Sequence, residues 1–226
     1  MVFETQIIDQ REVAKNTLEL TFKRPENFTF MSGQYAQVAV PALIKPDSKG
    51  RSRLFSIASS PADVEHLRVV FRATGSGFKE TLRTASPGSI IQIEKAEGNF
   101  LLSTRHNSHQ VFLAGGVGIA PFIGFLQESV HEVWKYPITL FYGNQSPASA
   151  AYLHELKSMA EIQPHFVLHE LYQQPSPEMF AQLADKYPNA VWSVVGPSVM
   201  VDTALAGLRL AGISFQQIVT ESFTGY

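Results

Sequence analysis

The sequence has no cysteine among its 226 residues. A chain without thiols holds no disulfide, no thiolate zinc site and no cysteine-ligated iron–sulfur cluster. Its seven histidines show no metal-ligand spacing, so the sequence predicts no metal site.

The sequence also lacks an excess of charge of one sign and lacks long hydrophobic runs. The formal net charge is -2, from 18 basic and 20 acidic residues without a block of like charge. This balance argues against a nucleic-acid partner and against a polybasic membrane anchor. The longest apolar runs, such as "VFLAGG" and "VWSVVG", are too short to cross a bilayer, and the N-terminus does not resemble a signal peptide. We expect a cytoplasmic protein without a membrane span.

The composition is that of a folded chain long enough for two domains. Hydrophobic residues make up 45% and charged residues 17%, which favours a globule over a disordered chain. Domains of about 100 residues each fit this length. The patterning of the chain changes near residue 104, where the polar stretch "STRHNSHQ" (103–110) predicts a linker.

The first half has the alternation of β-strands. Leu18, Leu20 and Phe22 share one face of the segment 17–22, and turn residues separate similar short segments. Predicted strands cover 17–22, 34–40, 66–73 and 89–96, with a further strand within 51–61 and one helix at 77–85. This spacing predicts a small antiparallel barrel over residues 1–103.

The second half alternates strands with helices. Predicted strands cover 111–116, 138–143, 165–171, 190–196 and the segment from 215 onward, and predicted helices cover 121–134, 150–160, 177–187 and 198–212. Such alternation predicts a doubly wound parallel sheet over residues 104–226, with ligands bound beyond the carboxyl ends of its strands.

A glycine-rich loop, "LAGGVGIAP" (113–121), follows the first strand of this sheet and opens a helix. Gly116 and Gly118 leave backbone where an anionic group can approach, and Pro121 suits a first helical turn. The loop departs from the G-x-G-x-x-G fingerprint, so a tight turn and a pyrophosphate site both remain open from these residues. Asn144 and Gln145 follow the next strand and do not decide between NAD and NADP.

The stretch "RSRLFSIASSP" (51–61) places Arg53, Phe55 and Ser56 together in a predicted strand. A buried strand disfavours arginine, and a solvated strand gains little from phenylalanine. The combination indicates a ligand that needs a cation, a flat apolar face and a hydroxyl.

Taken in order along nearly the whole chain, these motifs resemble the ferredoxin–NADP reductase family. "RLFS" is similar to its Arg-x-aromatic-Ser flavin motif, and "GSGFKETL" (75–82) to its second flavin element. "GGVGIAP" is similar to its nicotinamide pyrophosphate loop, "VGPS" (195–198) to its Cys-Gly-Pro segment, and "TESFTGY" to its closing Glu-x-aromatic stretch.

The resemblance implies a six-stranded flavin-binding barrel, a nucleotide-binding domain and a C-terminal tail that faces the flavin. It implies FAD and NADP or NAD as cofactors, with hydride passing from NAD(P)H to FAD. Electrons would then pass from the flavin to ferredoxin, flavodoxin or another redox partner protein, or to a small molecule. Two alternatives stay open: a flavin reductase that uses free flavin as substrate, and a nucleotide-binding module without turnover.

The resemblance also implies the site residues. Arg53 would pair with the flavin phosphate, Phe55 would lie against the flavin, and Ser56 would hydrogen-bond near its N5 atom. Catalytic residues would be Ser56, Glu221 and Tyr226. The predicted FAD site comprises Arg53, Leu54, Phe55, Ser56, Val70, Phe71, Gly75, Gly77, Phe78, Thr81, Phe223 and Tyr226. The predicted NAD(P) site comprises Gly116, Gly118, Ile119, Ala120, Pro121, Asn144, Gln145, Gly196 and Pro197.

Two residues depart from the family pattern. Glu80 stands where a serine or threonine is usual, and a carboxylate beside a pyrophosphate is unfavourable. We expect either that Thr81 takes that role or that Glu80 turns to solvent. Val195 stands where cysteine is usual before Gly196 and Pro197, which removes a thiol from the nicotinamide site.

Overall fold

The computed structural model describes residues 1–73, 75–101, 108–129, 137–173 and 175–223. Six antiparallel strands form the N-terminal sheet in the order β4-β3-β6-β1-β2-β5. An isolated bridge between Ile57 and Val69 joins the segment after β4 to β5, so the two edge strands meet. The strands are β1 (Val2–Ala14), β2 (Thr17–Lys23), β3 (Tyr35–Ala39), β4 (Ser52–Ser56), β5 (His66–Arg72) and β6 (Ile90–Glu94), and α1 (Gly77–Arg83) lies between β5 and β6.

Strand β1 is the element of this sheet that the sequence patterns do not predict. It pairs with β6 through Val2–Gln6 and then with β2, with a register shift between Ile7 and Asp9. Because the strand changes partner and register along its length, its buried residues do not alternate in one period. The predicted six-stranded antiparallel architecture is nevertheless confirmed.

The interior of this sheet is apolar, and a cross-strand ion pair joins β1 to β2. Phe22, Val38, Phe78 and Ile93 are fully buried in the core. The Glu19 carboxylate, whose side chain is only 4% exposed, accepts a hydrogen bond of 2.7 Å from Arg11 on the neighbouring strand. A paired carboxylate can be covered in this way without the full desolvation cost of a lone charge.

Five parallel strands form the second sheet in the order β11-β10-β7-β8-β9, which confirms the predicted doubly wound arrangement. The strands are β7 (Gln110–Gly115), β8 (Ile138–Gly143), β9 (Phe166–Leu171), β10 (Val191–Pro197) and β11 (Ile218–Phe223). The helices are α2 (Ala120–Ser129), α3 (Leu153–Ile162), α4 (Pro177–Lys186) and α5 (Ser198–Leu210). Trp192, Val194, Ala204 and Leu208 are fully buried in the core of this part.

The chain divides into two units, one of Met1–Leu102 with Ala120–His131 and one of Ser103–Ile119 with Glu132–Tyr226. The first break lies beside the predicted boundary at residue 103, but α2 groups with the N-terminal unit. An added Cβ at Gly124 of α2 would lie 2.5 Å from the carbonyl oxygen of Ser59, so glycine permits this close contact. The sequence pattern, which reads α2 simply as a helix after a strand, contains no sign of this grouping.

Helix α3 begins later than the predicted range 150–160. Tyr152 has a left-handed φ of 58°, which is incompatible with an α-helical position. The Tyr142 hydroxyl lies 3.2 Å from the Ala151 carbonyl oxygen, so this carbonyl is satisfied outside the helix. Within the described ranges, no helix has the length and apolarity to cross a membrane.

Helices α4 and α5 pack closely at Gly207. An added Cβ there would lie 2.2 Å from the Pro177 carbonyl oxygen and 2.6 Å from Phe180 Cβ. Alanine is favoured over glycine by about 1 kcal/mol inside a helix, but overpacking a core costs about 1–3 kcal/mol. We expect the cost of overpacking to exceed the gain in helix propensity, because one of the two clashes is with a backbone atom that cannot rotate away.

We therefore expect Gly207→Ala to lower the free energy of unfolding by about 1–2 kcal/mol in denaturant or thermal melts. Gly75→Ala is the matched control, since an added Cβ at Gly75 meets nothing within 4 Å. An unchanged or raised stability of Gly207→Ala would mean that the two helices separate without cost.

Candidate functional site

The predicted nucleotide residues of the second unit lie at one edge of its sheet. Parallel pairing aligns Gly115 with Gly143, and it aligns Val195 with both Ala114 and Glu221. Asn144 follows β8 directly, and Gly196 and Pro197 end β10. The carboxyl ends of four neighbouring strands thus bring these residues to the edge where doubly wound sheets bind ligands.

Glycines let the loop after β7 pack against the end of β10. An added Cβ at Gly118 would lie 2.4 Å from the Val195 carbonyl oxygen, and one at Gly115 would lie 2.5 Å from Met200 Sδ. Gly116 has a φ of 54°, in the left-handed region. The glycine pattern is therefore explained in part by backbone packing inside the protein, and this packing places the loop at the sheet edge.

Tyr142 holds this loop in position, and the sequence reasoning missed it. Its hydroxyl lies 3.1 Å from the Gly116 carbonyl oxygen and 3.2 Å from the Ala151 carbonyl oxygen, and its side chain is only 1% exposed. The sequence did contain a signal for this role. Tyr142 lies in a predicted buried strand, and a buried tyrosine hydroxyl needs a hydrogen-bond partner.

Asn144 presents a buried amide with no protein partner. Its Nδ2 and Oδ1 atoms are both covered and make no hydrogen bond within the described residues. Its backbone N–H donates to the Leu171 carbonyl oxygen at 2.9 Å, which fixes the position of the residue. Leaving such groups unpaired costs about 1–3 kcal/mol, so this amide fits a ligand that supplies both a donor and an acceptor.

The other predicted residues of this site differ in exposure. Gln145 is exposed, whereas Ile119 and Ala120 are 0% and 3% exposed and Pro121 is buried. Any contact of these last three with a ligand would use the backbone. Val195 is fully buried and Phe223 is half-buried beside Pro197 in the β10–β11 register.

Glu221 is a carboxyl group held away from water. Its Oε2 atom is buried without a hydrogen-bond partner, and burial raises its pKa to about 7. A carboxyl with a pKa near neutrality can both accept and release a proton under ordinary conditions. The predicted catalytic partner Tyr226 lies outside the described residues, so its role stays a prediction.

In the barrel, Ser56 ends β4 with its side chain covered. Ser56 is 6% exposed and its Oγ atom has no hydrogen-bond partner in the described part of the chain. An unpartnered buried hydroxyl fits the predicted hydrogen bond to a flavin.

Arg53 lies on the same strand but is already engaged by the protein. Its Nη2 atom donates to Asp47 Oδ1 at 2.7 Å, and its Nη1 atom donates to the carbonyl oxygens of Lys49 and Gly50 at 2.9 and 3.1 Å. The guanidinium also lies 5.1 Å from the centre of the Phe78 ring. A phosphate that binds Nη1 and Nη2 would have to replace these contacts.

The aromatic residues predicted for the flavin site are in the barrel core. Phe55 is 8% exposed and its ring lies 6.0 Å from that of Phe71 and 6.1 Å from that of Phe78. Val70 is also buried. The exposed apolar side chain of β4 is that of Leu54, which is 59% exposed. The flat-face role assigned to Phe55 stays a prediction, and Leu54 is the side chain of β4 that a ligand can reach from outside.

The second predicted flavin element forms the start of α1. Thr81 Oγ1 donates to the Gly77 carbonyl oxygen at 2.8 Å and accepts from the Ile44 N–H at 3.1 Å. Glu80 pairs with Arg83 in the next turn, which lowers the pKa of its carboxyl. Gly75 is exposed. Glu80 is thus paired with a cation of its own helix, and the residue that takes the usual serine or threonine role stays a prediction.

These contacts test whether a flavin and a nicotinamide nucleotide fit. Six buried side-chain polar atoms without partners occur in the described residues, and four of them belong to Ser56, Asn144 and Glu221. All three are residues predicted to contact a cofactor. The chain thus has unsatisfied polar groups where the two cofactors are expected. Arg53 differs from them, because its guanidinium already has hydrogen-bond partners within the protein.

Comparison with known proteins places the chain in a class. Residues 112–204 match the family model described as the oxidoreductase NAD-binding domain. The fold matches ferredoxin-NADP+ reductase from Plasmodium falciparum with a TM-score of 0.81, at 18% identity over 98% of this chain and 96% of that one. The chain thus has the fold of ferredoxin–NADP reductases and contains an oxidoreductase NAD-binding domain, which confirms the predicted resemblance.

Curated relatives are reductases and reductase components. The plasma membrane-associated coenzyme Q6 reductase PGA3 of Saccharomyces cerevisiae is 27% identical over 178 residues, 76% of this chain and 55% of that protein. The reductase component of propane 2-monooxygenase from Gordonia sp. is 25% identical over 232 residues, 92% of this chain and 63% of that protein. The chain therefore spans about 55–63% of the length of these relatives.

We expect Glu221→Gln to stabilise the protein at high pH and to change little at low pH. The folded-state pKa is raised from 4.5 to about 7, so the folded protein holds a proton that the unfolded chain releases, and stability falls between these values as pH rises. At pH 8 the variant gains up to about 3 kcal/mol over the parent, from 1.36 kcal/mol per pKa unit. Unfolding free energies at pH 4.5 and pH 8 check this.

Glu178→Gln is the matched control, because hydrogen bonds from its own backbone N–H and from Ser176 lower the pKa of Glu178. We expect the opposite pH dependence for Glu178→Gln, which loses stability relative to the parent as pH rises. A Glu221→Gln effect that is equal at both pH values would show that the carboxyl is not held neutral by burial.

Proposed function

We propose that this protein is an NAD(P)H-dependent FAD oxidoreductase that passes hydride from NAD(P)H to FAD and electrons onward to an external acceptor. The observation that carries the proposal is the placement of four of six unpartnered buried polar atoms at Ser56, Asn144 and Glu221. Proteins rarely leave such groups unpaired, and here they coincide with two predicted cofactor sites in an oxidoreductase fold.

In the barrel, the proposed work of the protein is to orient the flavin. The Ser56 hydroxyl donates to a ring nitrogen of the flavin, and Arg53 binds its phosphate end through a charge-assisted contact. Leu54, Val70, Gly75, Gly77 and Thr81 are the further proposed neighbours. When bound, the flavin supplies a hydride acceptor that can release electrons singly or in pairs.

In the second unit, the proposed work is to hold the nicotinamide nucleotide. Backbone N–H groups around Gly116 and Gly118 face the pyrophosphate, and the Asn144 amide donates to and accepts from the nucleotide. Gly196 and Pro197 shape the nicotinamide end. Glu221, whose pKa is about 7, holds or releases a proton beside it. No acidic side chain or arginine stands at Asn144–Gln145, so both NADH and NADPH are proposed donors.

The proposed acceptor is a redox partner protein or a small molecule. Relatives named as reductase components of oxygenase systems support a protein acceptor. Because the sequence contains no cysteine, electrons leave this chain from the flavin itself. The proposed location is the cytoplasm, although one relative is named as plasma membrane-associated, and cell fractionation with an antibody distinguishes the two.

A flavin reductase that uses free flavin as substrate is the second candidate. The observation that favours it is the engagement of Arg53 by Asp47 at 2.7 Å. A phosphate contact that must first displace a carboxylate binds the flavin less tightly, and a loosely held flavin exchanges with solution.

The first test is the visible spectrum of the purified protein under anaerobic conditions. We expect flavin absorption that bleaches when NADPH or NADH is added, and the faster donor gives the nucleotide preference. Colourless protein that oxidises NAD(P)H only with added FAD or FMN would favour the free-flavin reductase. Protein that binds neither flavin nor nucleotide would overturn both proposals.

We expect Arg53→Ala to weaken FAD binding by roughly tenfold or more, because charge-assisted hydrogen bonds contribute about 1.5–3 kcal/mol. Fluorescence titration of the apoprotein measures this. Arg68→Ala is the matched control, since Arg68 is another barrel arginine that pairs with an aspartate, Asp63, at 2.9 Å. Equal FAD affinity in the Arg53 variant and the parent would contradict the assigned phosphate contact.

A further inference from the structure

The loop between β3 and β4 folds onto α1. The Ile44 N–H donates to Thr81 Oγ1 at 3.1 Å, and an added Cβ at Gly77 would lie 2.3 Å from the Lys45 carbonyl oxygen and 2.7 Å from that of Pro46. Hydrogen bonds from the Val40 N–H to the Arg51 carbonyl and from Gly50 N–H to the Asp47 carbonyl, both 3.0 Å, close this loop. The loop therefore has one defined position over the start of the helix.

Asp47 is the residue of this loop that reaches Arg53. Its Oδ1 atom accepts from Arg53 Nη2 at 2.7 Å and from the Lys49 N–H at 2.9 Å, and its Oδ2 atom accepts from the Phe78 N–H at 2.9 Å. The side chain is 4% exposed. Both oxygens are thus used, and the hydrogen bonds from Phe78, Lys49 and Arg53 lower the pKa of the carboxyl far below its usual value.

Lys79 is a further cation whose charge interacts with that of Asp47. Lys79 is half-buried; desolvation and the charges of Arg53 and Lys49 lower its pKa, while Asp47 raises it. A phosphate group can carry more negative charge than a carboxylate and binds a guanidinium in the same bidentate way.

We propose that Asp47 is a specificity-determining residue that holds the place of the flavin phosphate on Arg53 Nη2, so that a phosphorylated flavin that binds through Nη1 and Nη2 has to displace it. This inference rests on the proposed function, because it assigns the occupant and the exchange of the same flavin site. The carboxylate lowers affinity for the phosphate end of FMN and FAD and leaves the ring end untouched.

The alternative role for Asp47 is to support Arg53 while the arginine binds phosphate elsewhere. The contacts of Nη1 disfavour that role, because the Lys49 and Gly50 carbonyls at 2.9 and 3.1 Å and the Ser52 carbonyl at 2.6 Å already crowd this nitrogen. A bidentate phosphate contact through Nη1 and Nη2 therefore requires the loop, with Asp47, to move away.

The test compares Asp47→Asn with the parent in binding riboflavin, FMN and FAD to the apoprotein, measured by flavin fluorescence. The amide removes the charge and keeps one acceptor oxygen, so one of the two backbone N–H groups, of Lys49 or of Phe78, loses its acceptor. We expect FMN and FAD to bind about tenfold more tightly to the variant, since one charge-assisted contact no longer has to be broken. Riboflavin, which has no phosphate, should change less than about twofold on the same scale.

Asp63→Asn is the matched control and should leave all three affinities unchanged. Asp63 is a loop aspartate in the same unit that pairs with Arg68 and accepts from the backbone N–H groups of Glu65 and His66 at 3.2 and 3.0 Å. If Asp47→Asn does not fold, as judged by its thermal melt, Asp47→Ser tests the same loss of charge with a smaller acceptor.

Two results would overturn the proposal. Unchanged or weaker FMN and FAD binding would show that Asp47 does not compete with phosphate, and an equal gain for riboflavin would show a general loosening of the loop. If neither protein binds any flavin, the proposed function fails, and inorganic pyrophosphate titrated by calorimetry still tests Asp47. Tighter pyrophosphate binding by the variant supports the competition, and equal binding rejects it.

Discussion

Close backbone contact at the carboxyl edge of the parallel sheet is the constraint on which the nucleotide-binding half depends. The loop after β7 reaches the end of β10 because Gly115 and Gly118 have no side chain to occupy the gap. Tyr142 then ties the Gly116 carbonyl to the segment before α3. A residue with a Cβ at Gly118 would push the loop away from Val195, and with it the backbone N–H groups proposed to hold the pyrophosphate.

Unpaired polar groups mark the proposed binding residues of both units more clearly than cavity shape or charge does. Ser56, Asn144 and Glu221 each keep a buried polar atom without a protein partner, and each such atom costs stability in the absence of a ligand. Proteins keep such unpaired groups at sites where a bound ligand can form the missing hydrogen bonds. The raised pKa of Glu221 has the same origin, because burial without a partner disfavours the charged carboxylate.

The residues proposed to bind flavin differ from those of the second unit, because most of them already have partners within the protein. Its aromatic residues form core contacts, and Arg53 is satisfied by Asp47 and by loop carbonyls. A site whose cation is already paired selects ligands by exchange of partners, so its affinity depends on how the internal carboxylate compares with a phosphate. In this proposal, the loop between β3 and β4, which carries Asp47, sets the strength of flavin binding.

Much of the fold, and part of the proposed site, could be predicted from the sequence itself. Strand alternation predicted an antiparallel sheet, strand–helix alternation predicted a doubly wound sheet, and Ser56, Gly116, Asn144 and Glu221 were named from motifs, because periodicity and motif order are local properties of the chain. Tertiary structure alone decided the pairing of β1, the burial of Phe55, the role of Tyr142 and the position of Asp47 on Arg53. Each of these depends on contacts between segments distant in sequence or on loop geometry, which side-chain patterns do not encode.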